Sequence, residues 1–208
     1  MNPVSFQQNA TVEVARKAVN STPPSACVIQ GNYRVEHWRK GRRINELAGH
    51  NGITIEGKNF LFDVMFGATE VAEANWYIDL INLSGYSALS ENDNYDNLNQ
   101  AGNGWDWFTD YTDGNNNDST TTRPEWLDGD VASGKAIVNA TPAIFDITAN
   151  GTVKGIFVVA GANAQTKTDH TAGIANKLWA TALFSADVAV QVGDQLKVTY
   201  TVSAPATT

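Results

Sequence analysis

The stretch Gln195-Leu196-Lys197-Val198-Thr199-Tyr200-Thr201-Val202-Ser203 decides the fold class. Leu196, Val198, Tyr200 and Val202 alternate with Gln195, Lys197, Thr199 and Thr201, so the apolar residues recur at a period of two. Only an extended chain places every second side chain on one face, and the pattern predicts a strand with one buried and one wet side. Burying that face contributes about 1.5–3 kcal/mol for each large side chain. Further strands are expected at Leu178–Phe184, Gly151–Val159, Ala143–Ile147 and Ala136–Asn139. Asn150-Gly151 reads as a hairpin turn between the strands on either side of it, and Val192-Gly193-Asp194 as another turn. The segment Asn75–Leu83 (NWYIDLINL) has apolar residues in both registers, Trp76, Ile78 and Leu80 in one and Tyr77 and Ile81 in the other, which predicts an inner strand covered on both faces.

Toward the N-terminus the same period marks residues 33–39, and Lys40-Gly41-Arg42 turns the chain into a return strand at Arg43–Leu47. Gly49-His50-Asn51-Gly52 is expected to break it. One segment has a helical pattern: in TIEGKNFLFDVMFG, Thr54 is placed to cap the first turn, Phe60, Leu61, Val64 and Met65 share a face, and Gly67 ends the element. Residues 84–130 form a long irregular region of turn residues interleaved with aromatics, which either folds back on the body or makes a binding surface. Residues 1–27 end in Pro23-Pro24 and are expected to form an arm or loose strand. The expected architecture is all-β: residues 28–208 as a single β-sandwich domain, jelly-roll-like, with about nine strands, one short helix and long irregular loops.

Composition agrees with this class. In 208 residues, charged side chains are 17% where about 25% is usual, and 21 Asn with 20 Thr fill the gap. The only cysteine, Cys27, excludes an internal disulfide and a multi-cysteine zinc site. The longest apolar run, Ile156–Ala160, is far too short to cross a membrane as a helix, and the first residues do not read as a signal peptide.

The net charge of -8 is unevenly placed. Residues 1–60 carry eight basic and four acidic groups, residues 61–130 one basic and fourteen acidic. An acidic chain repels nucleic acid, and the basic cluster of Arg34, Arg39, Lys40, Arg42 and Arg43 is too short for a DNA footprint. Blocks of opposite sign suit contacts between copies instead.

No spacing assembles a catalytic centre, and no cofactor or metal is expected. His37 and His50 could meet across a hairpin but lack further zinc ligands. Asp113-Gly114-Asn115-Asn116-Asn117-Asp118 has oxygen donors without a complete calcium-loop pattern. Trp105, Trp107 and Trp126, inside the long loop region, are the candidate anchors of a protein interface, with Arg39, Arg42 and Arg43 at its rim. Exposed tryptophans also suit a carbohydrate- or receptor-binding module, the competing expectation.

Several blocks carry a resemblance. They are His50-Asn51-Gly52-Ile53-Thr54 with Glu56-Gly57 and residues 60–66, Trp76-Tyr77-Ile78-Asp79-Leu80-Ile81, Trp105 with residues 108–111, and Arg123-Pro124-Glu125-Trp126. Asn139-Ala140-Thr141-Pro142, Gly155-Ile156-Phe157-Val158, residues 178–184 and residues 193–200 complete the set. Together they resemble a family of small tailed-bacteriophage virion proteins encoded among the head and tail structural genes. The resemblance implies a non-enzymatic capsid decoration protein, made in the host cytoplasm and carried on the outer surface of the head, with a tail or head–tail junction component as the alternative. It further implies a homo-oligomer, a trimer by analogy, bound to the major capsid protein, with no direct contact to nucleic acid or membrane.

Overall fold

Two-residue periodicity builds nine strands around one α-helix among the residues that the computed structural model describes, 29–67, 70, 72–73, 75–97, 104–129, 136–167 and 176–204. The expected arm over 1–27, with Cys27, lies outside the described residues. The strands are β1 (Gln30–Arg39), β2 (Arg42–Ile53), β3 (Trp76–Asn82), β4 (Tyr111–Asp113), β5 (Ala136–Val138), β6 (Ala143–Ile147), β7 (Gly151–Ala160), β8 (Lys177–Val190) and β9 (Asp194–Ser203), and the helix is α1 (Ile55–Phe66).

All strand pairs are antiparallel, in the order β3-β7-β8-β2-β1-β9-β6-β4, with β5 also on β9. The groups β3-β7-β8 and β2-β1-β9-β6-β4 join only where Gly52 and Ile53 pair with Thr181 and Ala180. The result is a mostly-β fold, one curled antiparallel sheet in the form of a half-barrel, with α1 packed against β8. A principal core fills the hollow, built from Ile78, Leu80, Phe145, Val158, Trp179, Leu196, Val198 and Tyr200 among others.

Three local readings resolve in instructive ways. The β1–β2 turn is two residues long, with Lys40 at φ 50° and Gly41 at φ 73°. Positive φ at both positions gives the backbone twist that matches two antiparallel strands. Gly49–Gly52, expected to break the chain, instead stays in β2. Tyr33 lies opposite Gly49, and a Cβ there would meet its hydroxyl at 2.6 Å, so the missing side chain makes room for a ring. The Asn150-Gly151 turn closes no hairpin: β6 pairs with β9 and β4, whereas β7 pairs with β3 and β8. Both edges of β6 are taken, so the chain crosses to the other strand group.

Strand β3 is buried from Tyr77 to Ile81, as its doubled apolar register predicts. Ile78 and Leu80 face the principal core; Tyr77 and Ile81 enter a second cluster with Tyr95, Trp105, Trp107, Phe157 and Leu178. The long loop region therefore folds back and forms a further layer over this face.

Asp79 sits at the centre of that arrangement, fully buried on a strand. Arg123 donates from Nε to its Oδ2 at 2.7 Å, Tyr111 donates its hydroxyl to Oδ1 at 2.7 Å, and the Leu80 amide adds a third bond at 2.7 Å. Arg123, equally buried, also donates to the carbonyls of Ala164, Thr166 and Lys167. Lys167 in turn donates to the carbonyls of Thr109 and Tyr111. Removing one partner of such a pair leaves a desolvated charge, so Asp79→Ala is expected to cost about 3–5 kcal/mol. Replacing both, as Asp79→Leu with Arg123→Met, is expected to cost less than the single change. Chemical denaturation of the variants measures the difference; a double variant as unstable as Asp79→Ala contradicts this account.

Candidate interaction surface

Helix α1 follows β2 after a single residue, and that residue fixes it. Thr54 Oγ1 accepts from the Gly57 amide at 3.0 Å, as an N-cap hydroxyl should, and itself donates to the Leu178 carbonyl at 2.5 Å. Gly57 lets the first turn lie against β8, since a Cβ there would stand 2.4 Å from the Trp179 carbonyl oxygen. Glu56 accepts from the amides of Leu178 (2.7 Å) and Tyr95 (2.8 Å), tying the helix to β8 and to a short 3-10 turn at Tyr95–Asn97. Burial pushes its carboxyl up, and the two amides oppose that shift.

Apart from Glu56, Lys58, Asn59 and Asp63 the helix is apolar, and only part of that apolar surface is buried. Phe60 is buried and Leu61 and Val64 are half-buried, but Met65, expected on the same inner face, is 60% exposed. Phe62 is 58% and Phe66 77% exposed, with Ile55 on the same side, about two turns before Phe62 and about three before Phe66. The rings of Phe62 and Phe66 stack with centroids 6.4 Å apart.

Two hollows border this ridge. One, of about 360 Å³, lies against Phe60, Leu61 and Val64, has walls of Trp76, Trp126 and Trp179, and includes the carboxylates of Glu73, Glu125 and Asp128. The other, of about 370 Å³, lies along Glu56, Asn59 and Asp63 and includes Glu70 and Asp96 with Lys177. Lys177 reaches Glu70 at 3.2 Å, and Lys58 reaches Glu91 at 3.9 Å.

The expected aromatic anchors stand elsewhere. Trp105, Trp107 and Trp126 are 2%, 5% and 8% exposed; Trp105 and Trp107 are closed off, and Trp126 reaches only the wall of the first hollow. Trp105 and Trp107 pack on Phe157, with Arg123 over the Trp107 ring, and Trp126 donates its indole N–H to the Tyr200 carbonyl. A loop following a strand buried on both faces supplies that strand's second cover, and Trp105 and Trp107 are part of it, whereas Trp126 packs in the principal core beside Trp76 and Tyr200.

The expected rim arginines divide. Arg39 donates twice to Asp194, each at 2.7 Å. Arg43 engages Glu46 and Glu36, while Arg42 is exposed at the hairpin tip. His37 bonds Asp194 at 2.8 Å and His50 bonds Asn32, so the two histidines do not meet. Asp113 accepts from Thr122 and from the Asn115 amide, closing a turn. Among the described residues no group of three His, Cys, Asp or Glu side chains is placed to hold a metal.

Comparison with family models, with curated proteins and with solved structures finds no match to this chain.

Two outcomes check the local geometry. Gly57→Ala forces α1 off β8 and is expected to cost about 1–3 kcal/mol by urea unfolding; a neutral effect contradicts the close approach. Arg39, with His37 and the Gln191 amide, holds the Asp194 carboxyl well below the usual carboxylate range. A carboxyl depressed in the folded state stabilises fully above about pH 4 and loses that contribution as pH falls, on the order of 2 kcal/mol. Asp194→Asn should therefore be less stable at pH 7 and show a flatter stability curve below pH 4. An acid limb unchanged by the substitution refutes this.

Proposed function

We propose that this chain is a non-enzymatic structural protein of the tailed-phage virion, a capsid decoration protein. In this reading it binds the major capsid protein on the outer surface of the head and associates with copies of itself, as a trimer. The observation that carries it is the ridge of Ile55, Phe62, Met65 and Phe66, apolar side chains held out on a helix whose opposite face is locked to the core. Contiguous exposed apolar surface of this kind marks contact with other macromolecules.

The interior supports the same reading. Buried ionic groups are spent on holding layers together: Asp79 with Arg123 and Tyr111, and Asp194 with Arg39 and His37. A body braced in this way suits a protein that carries load between neighbours. The finer form of the fold is proposed to be a jelly-roll-like sandwich, its layers being the two strand groups that meet at Gly52–Ile53. A carbohydrate-binding role would need open tryptophans, and Trp105 and Trp107 are closed, while Trp126 reaches only the wall of the first hollow.

Labelling with an antibody on purified phage particles, followed by electron microscopy, tests the proposal. Decoration predicts hundreds of copies over the head. A few copies at one vertex would instead identify a tail or head–tail junction component, and absence from particles refutes a virion role altogether.

A further inference from the structure

We infer that copies of this chain join head to tail, the tip of the β1–β2 hairpin of one copy seated on the Phe62–Phe66 ridge of the next. The inference rests on the self-association proposed above and identifies its two surfaces.

The receiving surface is apolar along its crest and acidic along one flank. A helical period of 3.6 residues puts Ile55, Phe62 and Phe66 on one line, with Asn59, Asp63 and Glu56 to one side and Met65, Leu61 and Lys58, which is paired with Glu91, to the other. Glu56, Asp63, Glu70 and Asp96, with Lys177 among them, border the first side, whereas Glu73, Glu125 and Asp128 line the hollow on the core-facing side of the helix, against Phe60, Leu61 and Val64. Burial first and the neighbouring Glu70 second push the Glu73 carboxyl up, against the opposing pull of Lys177.

The hairpin tip offers the complement. Lys40 and Arg42 are exposed and form no ion pair within the described residues. The β1–β2 register shifts by one residue, pairing Trp38 with Arg43 and His37 with Asn45, which leaves Ile44 out of the ladder and 50% exposed. An extra residue of this kind re-aims a side chain away from the sheet. The tip therefore presents an aliphatic group amid cations, against aromatics with carboxylates along one flank.

One chain cannot satisfy both. The tip and α1 lie at opposite ends of β2, twelve residues long, or roughly 36 Å at the usual rise per residue. Pairing of β1 with β9 runs as far as Arg39 opposite Asp194, which holds the tip away from the helix. Complementary patches at opposite ends of a rigid strand meet only between copies. Each copy then gives one tip and accepts one, a heterologous contact that closes into a ring where the rotation allows. Charge of opposite sign across it favours this register over others.

Sedimentation velocity of the full chain tests the inference with two double variants, Phe62→Asp with Phe66→Asp, and Lys40→Glu with Arg42→Glu. All four side chains are exposed, so circular dichroism should be unchanged. Wild-type assembly is expected at about 50 mM salt and should weaken by roughly tenfold or more at about 0.5 M. Each variant alone should sediment as a monomer. Mixed in equal amounts they should form a one-to-one dimer and nothing larger, because each keeps the half that the other lacks. A wild-type monomer at low salt, assembly of either variant alone, or a mixture that stays monomeric overturns the inference. If any of these occurs while the chain is found on particles, the virion role stands and the head-to-tail contact falls. Absence from particles with a dimer in the mixture has the opposite meaning.

Discussion

A carboxylate in the middle of a strand buried on both faces has to be neutralised where it stands, and most of the molecule's outer layer follows from that. Asp79 has no access to water. Its charge is met by Arg123, carried on a loop more than forty residues further along the chain, and by the hydroxyl of Tyr111. Satisfying the remaining guanidinium N–H groups recruits the carbonyls of residues 164–167, and Lys167 then reaches back to residues 109 and 111. One buried charge thus fixes the courses of two long connections that have little regular structure of their own. Buried ion pairs add little net stability compared with apolar packing, but they penalise every arrangement in which a partner is missing. Here the penalty selects a single path for the loop.

The strand-built body was legible because its signal is local. The alternation at Leu196, Val198, Tyr200 and Val202, the doubled register of residues 76–81 and the Thr54 to Gly67 limits of the helix all correspond to elements observed at those positions. Strand neighbours were not legible, because pairing depends on contacts far apart in sequence. Asn150-Gly151 has hairpin chemistry, yet joins strands that never touch, since β6 is flanked by β9 and β4 before β7 could reach it. Gly49 looked like a break because a glycine's alternative use, leaving space for Tyr33 across the strand, is invisible without the partner.

The candidate surface shows the same division. Aromatics in a loop rich in Asn and Gly suggest an exposed platform, but composition does not say which way a ring points. Trp105 and Trp107 are claimed by the outer face of β3 and β7, which would otherwise meet water. The surface that remains exposed is on α1, and its signal was present: apolar residues at 60, 61 and 64 already account for a buried face, so Phe62 and Phe66 are surplus to it. Apolar residues beyond those that a single buried face requires call for cover of their own.

The way the loop lies on β3 reaches beyond stability. Residues 106–108 and 124–126 form backbone hydrogen bonds along that strand's outer margin: Asn82 donates to Asp106, Phe108 to Leu80, Ile78 to Pro124 and Trp126 to Trp76. The chain has in effect added strands to itself, occupying the groups that a foreign strand would need for zipper-like growth. In the middle of the order, where β2 runs on beyond its short pairing with β8, its margin is guarded by ionic side chains, Arg43 and Glu46 among them. A protein so defended can be produced at high local concentration without drifting into fibrils, leaving side chains, and not bare backbone, to choose its neighbours.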